Sequence, residues 1–158
     1  MTNKIVAGAF ATLMLMAPAY ATIALQPGEW QTTETGLEDG KPVAPQVEKE
    51  CMTPEEARDA TSVVKQMKDE MMKEAAGAGQ CPVADIKESG NTVTMALKCG
   101  DPKMMAFDIS ATFTFVSATR YTGAMKSAVS IGGRSMTTDK KIDAVRVGEC
   151  KPGQAKKR

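Results

Sequence analysis

The chain reads as an α+β domain, an antiparallel meander of about seven strands whose curved sheet packs on one helix and is held by two disulfides. Three observations predict this. A hairpin signal sits between Cys81 and Cys99, an amphipathic helix opens at Thr53, and three successive alternating runs fill residues 105–147.

The first residues set the compartment. Lys4 precedes the apolar run Ile5 to Met16, and Ala19-Tyr20-Ala21 is a small-x-small cleavage site. This pattern reads as a signal peptide over residues 1–21, too short to span a bilayer as a stable helix. No cysteine follows the site closely, which argues against a lipid anchor. Export implies a periplasmic chain in an oxidising environment, where the even count of four cysteines reads as two bridges. No later apolar run reaches membrane-spanning length.

Residues 22–150 are long enough for one domain with a real core. A first strand runs from Gly28 to Thr35 around Trp30, the only tryptophan. A turn through Glu38, Asp39, Gly40 and Pro42 leads to a second strand, Pro45 to Met52, with Val47, Lys49 and Cys51 on one face.

Thr53-Pro54-Glu55-Glu56 is a helix start, with Thr53 as N-cap, Pro54 at the first helical position and Glu56 completing a capping box. Ala57, Ala60, Val64, Met67 and Met71 recur at spacings of three and four, one narrow apolar stripe. Gly77 and Gly79 end this helix near Ala75. Its length of about twenty residues, ~30 Å, is enough to lie across a whole small sheet.

Val83 to Glu88 and Thr92 to Lys98 are strands joined at Gly90-Asn91, a two-residue hairpin signal. With Ser89 opposite Thr92, Ile86 faces Met95, Ala84 faces Leu97 and Cys99 faces Pro82. A bulge at Pro82, which cannot donate to the ladder, brings Cys81 against Cys99. That pairing leaves Cys51 with Cys150.

Met105, Phe107, Ile109, Ala111, Phe113 and Phe115 alternate with polar or small residues, the clearest period of two in the chain. Tyr121 to Ile131 continues the alternation. Gly132-Gly133 reverses the chain into a last strand, Ser135 to Val147, whose apolar side shifts from Ile142 and Ala144 to Val145 and Val147, as a bulge would produce. Pro152 onward reads as disordered, so residues 151–158 form a basic tail.

Charge narrows the partners. Lys4 is the only charged residue before the cleavage site, leaving 19 basic against 19 acidic groups. Lys151, Lys156, Lys157 and Arg158 belong to the tail, so residues 22–150 hold 15 basic against 19 acidic groups, a net of −4. Such a body repels phosphate backbones, which excludes nucleic acid as the expected partner.

With these landmarks placed, the chain resembles the exported domain-of-unknown-function family DUF3617 of Gram-negative bacteria. The matching pieces are Gly28-Glu29-Trp30, Cys51-Met52-Thr53-Pro54-Glu55-Glu56, Cys81-Pro82-Val83, Ser89-Gly90-Asn91-Thr92-Val93 with Cys99, Tyr121-Thr122-Gly123 and Gly148-Glu149-Cys150. The resemblance covers nearly all of residues 22–150. Gly36 to Gln46 lacks the methionines that many relatives carry between the first two strands. The family carries no established activity, so the resemblance implies fold and compartment and leaves the chemistry to the residues.

Those residues argue against an enzyme. There is no histidine, no Gly-x-Ser-x-Gly elbow, no phosphate loop and no Cys-x-x-Cys. Gly132-Gly133-Arg134-Ser135 reads as a hairpin turn, and Asp139 with Asp143 as exposed strand charge. No cofactor is expected. Nine methionines follow the cleavage site, and thioethers bind soft Cu(I), which makes Met67, Met71 and Met72 an alternative copper site. Methionine is also an ordinary core filler. The first expectation is a non-catalytic cell-envelope protein that binds an apolar small molecule or an envelope protein. Phe107, Phe113, Phe115, Tyr121 and Met125 are the candidate cavity lining, with Ala111, Gly123 and Ala124 leaving space beside the rings.

Overall fold

The computed structural model describes residues 24–74, 79–101 and 103–153. The expected signal peptide, the expected helix end at Ala75 and residues 154–158 of the tail lie outside the described residues.

Seven strands form one antiparallel sheet: β1 (Gly28–Glu38), β2 (Lys41–Met52), β3 (Val83–Ser89), β4 (Thr92–Asp101), β5 (Met105–Ser117), β6 (Arg120–Ile131) and β7 (Arg134–Gly148). Their order is β2-β1-β7-β6-β5-β4-β3, so the sheet is open, with β2 and β3 at its edges. The helical segment separates β2 from β3, and β1 pairs with β7 instead.

The β1–β2 hairpin is longer than the sequence suggests, closing on the two-residue turn Asp39-Gly40, both at positive φ as a type I′ turn needs. Pro42 and Pro45, which read as turn signals, lie inside β2. An edge strand tolerates them because an edge has ladder positions that need no donor. The hairpins of β3–β4 and β6–β7 turn at Gly90-Asn91 and Gly132-Gly133 as expected, and Ile86 faces Met95 while Ala84 faces Leu97.

The expected single helix is two: α1 (Pro54–Ala57) and α2 (Ala60–Glu74). Thr53 and Glu56 form the capping box of α1. Asp59 then starts the chain afresh. Its carboxylate accepts the Thr61 N–H at 3.0 Å, and its carbonyl accepts the Ser62 N–H at 2.9 Å. An aspartate that offers its own oxygen to the backbone competes with helix continuation and caps the next helix. The break leaves α2 with 15 residues, about 22 Å long. Strands β5, β6 and β7 have 13, 12 and 15 residues, roughly 40–50 Å. The helix is therefore about half as long as these strands.

Helix α2 lies over β3 and β4. Ala57 of α1 and Ala60 and Val64 of α2 are buried with Leu25, Trp30, Met52, Val93, Met95, Ala111, Phe113, Phe115, Ile142 and Ala144, and Met67 and Met71 pack against this core. A smaller cluster joins Leu97 and Cys99 to Met71, Met72 and Phe107. The N-terminal arm seals the top, where Leu25 donates to the Ala57 carbonyl and the Trp30 indole N–H to the Gln26 carbonyl at 3.0 Å.

Both disulfides form as paired in the sequence, Cys81 with Cys99 and Cys51 with Cys150. Val83 faces Lys98, β3 ends there, and a bend at Pro82 lets the Gly100 N–H reach the Gln80 carbonyl at 2.9 Å, which puts Cys81 beside Cys99. The expected irregularity in β7 falls at Val147, which has no opposite residue as β7 passes Glu29 and Trp30. It does not move the core to Val145: Ile142 and Ala144 stay buried, and Val147 is exposed.

Candidate functional site

Register sorts the inner face of β5, β6 and β7 into rows. From the top they are Phe115, Tyr121 and Ala144; Phe113, Gly123 and Ile142; Ala111, Met125 and Lys140. Below them come Ile109, Ser127 and Thr138; Phe107, Val129 and Met136; Met105, Ile131 and Arg134. All share one face because side chains alternate along a strand.

The upper rows are core. Tyr121 packs on Trp30, Phe115 and Phe113 with ring centroids 5.6, 5.7 and 6.4 Å apart. The space beside Gly123 is filled by Phe113, whose ring atoms lie 3.0 and 3.1 Å from where a Cβ would stand. Of the expected cavity lining, Phe113 and Phe115 are thus buried, Tyr121 bridges the rings, Met125 packs at the edge of the core, and Phe107 belongs to the smaller cluster.

Helix α2 reaches the lower rows only on the β4–β5 side, where Met71 and Met72 meet Cys99 and Phe107, and their β6 and β7 ends are open. Met136 is 56 % exposed and Ile131 51 %, while Met105, Phe107 and Val129 are partly exposed. At the adjoining β4–β5 turn Met104 is 73 % exposed, and its carbonyl accepts the Gly132 N–H, which ties the two turns together. Arg134 closes one end of the outermost row, Asp101 the other, and Lys103 lies in the turn, so the rim carries charge of both signs. Asp101 accepts the Lys103 backbone N–H and leaves the ammonium out of that bond. Between upper and lower rows Lys140 pairs with Glu34 at 2.8 Å, both partly buried.

The sequence marked Val129 and Ile131 as strand residues but not as a surface. No local signal marks that surface, because which strands α2 covers is decided by its packing on β4 and β3.

A depression of about 520 Å³ lies between β2 and the helices and is lined by Glu29, Glu48, Glu50, Glu56, Val63 and Gln66 among others. Lys49 sits 3.6 Å from Glu29, and Glu56 is held by Thr53. Among the described residues no group of three histidine, cysteine or acidic side chains is placed to hold a metal ion. Met67, Met71 and Met72, the alternative copper ligands, have apolar neighbours, Met67 and Met71 in the main core and Met71 and Met72 in the smaller cluster. On the opposite face Asp143 accepts two hydrogen bonds from Arg120, at 3.1 and 3.0 Å, and Asp139 lies 3.4 Å from Lys126. These are exposed strand charges with partners.

Fold and surface together define a disulfide-stapled, helix-backed antiparallel sheet domain. Among the described residues no helix is long and apolar enough to cross a membrane. A family model described as a protein of unknown function (DUF3617) matches residues 25–150, and the chain belongs to that family. No curated protein matches the chain, and no solved structure matches it.

Proposed function

We propose that this is a non-catalytic, exported protein of the periplasm that binds a protein partner on the lower rows of its inner sheet face. The observation that carries the proposal is the exposed apolar set Ile131 and Met136 with Met104 beside it, continuous with Phe107 and Val129. Contiguous exposed apolar surface with a polar rim marks association sites. A small apolar molecule is taken up by a concave pocket that buries most of it, whereas these rows lie open along a sheet. That favours a protein segment with apolar side chains. Arg134 and Lys103 with Asp101 at the rim favour a segment flanked by charged residues of both signs. Methionine side chains suit such a surface because they are flexible and polarisable. The missing histidine and the paired carboxylates of the outer face support a role without catalysis.

Photo-crosslinking tests the reading. A photoreactive amino acid replaces Met136 on the inner face or Thr112 on the outer face of the exported protein in cells. The expected result is one discrete protein adduct from position 136, none from position 112, and loss of the adduct on adding Ile131→Asp. Equal labelling from both faces, or an adduct indifferent to Ile131→Asp, contradicts it.

A further inference from the structure

We propose that Met104 and Met136 form an oxidation site that switches the binding face off. The inference rests on the binding reading above and adds a regulation to it. Its basis is the contrast among the methionines. Met104 and Met136 are 73 % and 56 % exposed, Met52 and Met95 are 6 % and 2 % exposed, and Met67, Met71, Met72, Met105 and Met125 are partly buried. The two segments that carry them are also tied together through the backbone. Met136 stands in the row of Phe107 and Val129, and the hydrogen bond from Gly132 to the Met104 carbonyl holds the other turn against the hairpin that leads into Met136.

The oxidant class is a peroxide or hypohalous acid. With hydrogen peroxide, a sulfur lone pair attacks one peroxide oxygen, the O–O bond breaks and an S–O bond forms. The departing hydroxide takes the remaining proton and leaves as water. Sulfur is oxidised by two electrons and peroxide is reduced by two. A dithiol sulfoxide reductase reverses the step, regenerating the thioether and water while its two thiols become a disulfide. The sulfoxide is a polar acceptor where the face needs apolar contact, so docking buries an oxygen with no donor. One sulfoxide in the contact weakens binding about tenfold.

The experiment treats the folded, disulfide-bonded protein with graded hydrogen peroxide, maps sulfoxides by peptide mass, and titrates each sample with the apolar dye anilinonaphthalene sulfonate. Sulfoxide is expected first at Met104 and Met136, with Met52 and Met95 protected, and dye affinity is expected to fall about tenfold in parallel. The doubly substituted Met104→Leu, Met136→Leu protein is expected to bind dye before and after peroxide alike. Oxidation appearing first at Met52 or Met95, or equal loss of dye from the Leu variant, overturns the proposal. Ile131→Asp separates the two readings. If untreated protein binds no dye, or binds it regardless of Ile131→Asp, the face itself is refuted and the switch with it. If dye binding depends on Ile131 but ignores sulfoxide at Met104 and Met136, the switch alone is refuted.

Discussion

Phe113 and Gly123 face each other across β5 and β6, and the phenyl ring occupies the room that a side chain at 123 would need. The third member of their row, Ile142, is 3.3 Å from the same point. Small size at 123 is therefore a packing requirement. Gly123→Val is expected to cost about 1–3 kcal/mol through overpacking. Urea denaturation measures it, and pairing the change with Phe113→Leu should recover part of the loss. A neutral Gly123→Val would show that the row has slack.

Gly28 carries a different constraint. Its φ is 141°, and a Cβ there would collide with the Gly148 carbonyl and the Arg146 guanidinium. Arg146 in turn donates to the Pro27 carbonyl at 2.8 Å and pairs with Glu149. Gly28→Ala is expected to lose about 1–3 kcal/mol from backbone strain alone and more from the collision. An unchanged melting temperature for Gly28→Ala would mean that this corner of the sheet relaxes freely.

The disulfides close loops of unequal size, with sequence separations of 18 and 99. The chain-entropy model assigns about 3 kcal/mol to the shorter and about 4 to 5 kcal/mol to the longer. Replacing Cys51 and Cys150 together by Ala is therefore expected to destabilise more than replacing Cys81 and Cys99. Buried Cys99 adds a packing loss to the second pair that narrows the gap. Denaturation midpoints of the two double variants decide the order, and the reverse order would place the weight on packing around Cys99.

At the helix entry Thr53 and Glu56 satisfy each other's backbone N–H. Thr53→Ala should cost about 1 kcal/mol. Combined with Glu56→Ala, the loss should fall short of the sum of the single losses, because each change breaks the same reciprocal pair. Strict additivity in a double-mutant cycle would argue that the two bonds act separately.

Much of this fold was legible because its signals are local. Gly90-Asn91 and Gly132-Gly133 mark reversals by backbone geometry, and Met105 to Phe115 alternates because only one side of β5 meets the core. The ends of β1 and β2 were harder to read. Alternation fades there because β2 is an exposed edge, and Pro42 and Pro45 mimic a loop. The helix break is silent in the sequence because Thr53 to Met71 keeps its apolar spacing through Asp59, so periodicity does not report the new cap. Nor is it local which strands the helix covers: α2 packs on β4 and β3, which leaves the lower ends of β6 and β7 open. Of the aromatic residues that read as a cavity lining, Phe113 and Phe115 are core, and the exposed face lies three rows below Phe113, around Val129 and Met136.

On the proposed reading, the lower rows of the inner face are open in the isolated protein and covered by a partner in the cell envelope. Hydroxyl-radical footprinting read by mass spectrometry, on the purified protein and in intact cells, measures this directly. Ile131, Met136 and Met104 are expected to label strongly in purified protein and to be protected in cells, while Phe113 and Phe115 label weakly in both. Labelling of Ile131, Met136 and Met104 that is the same in cells as in purified protein would contradict it.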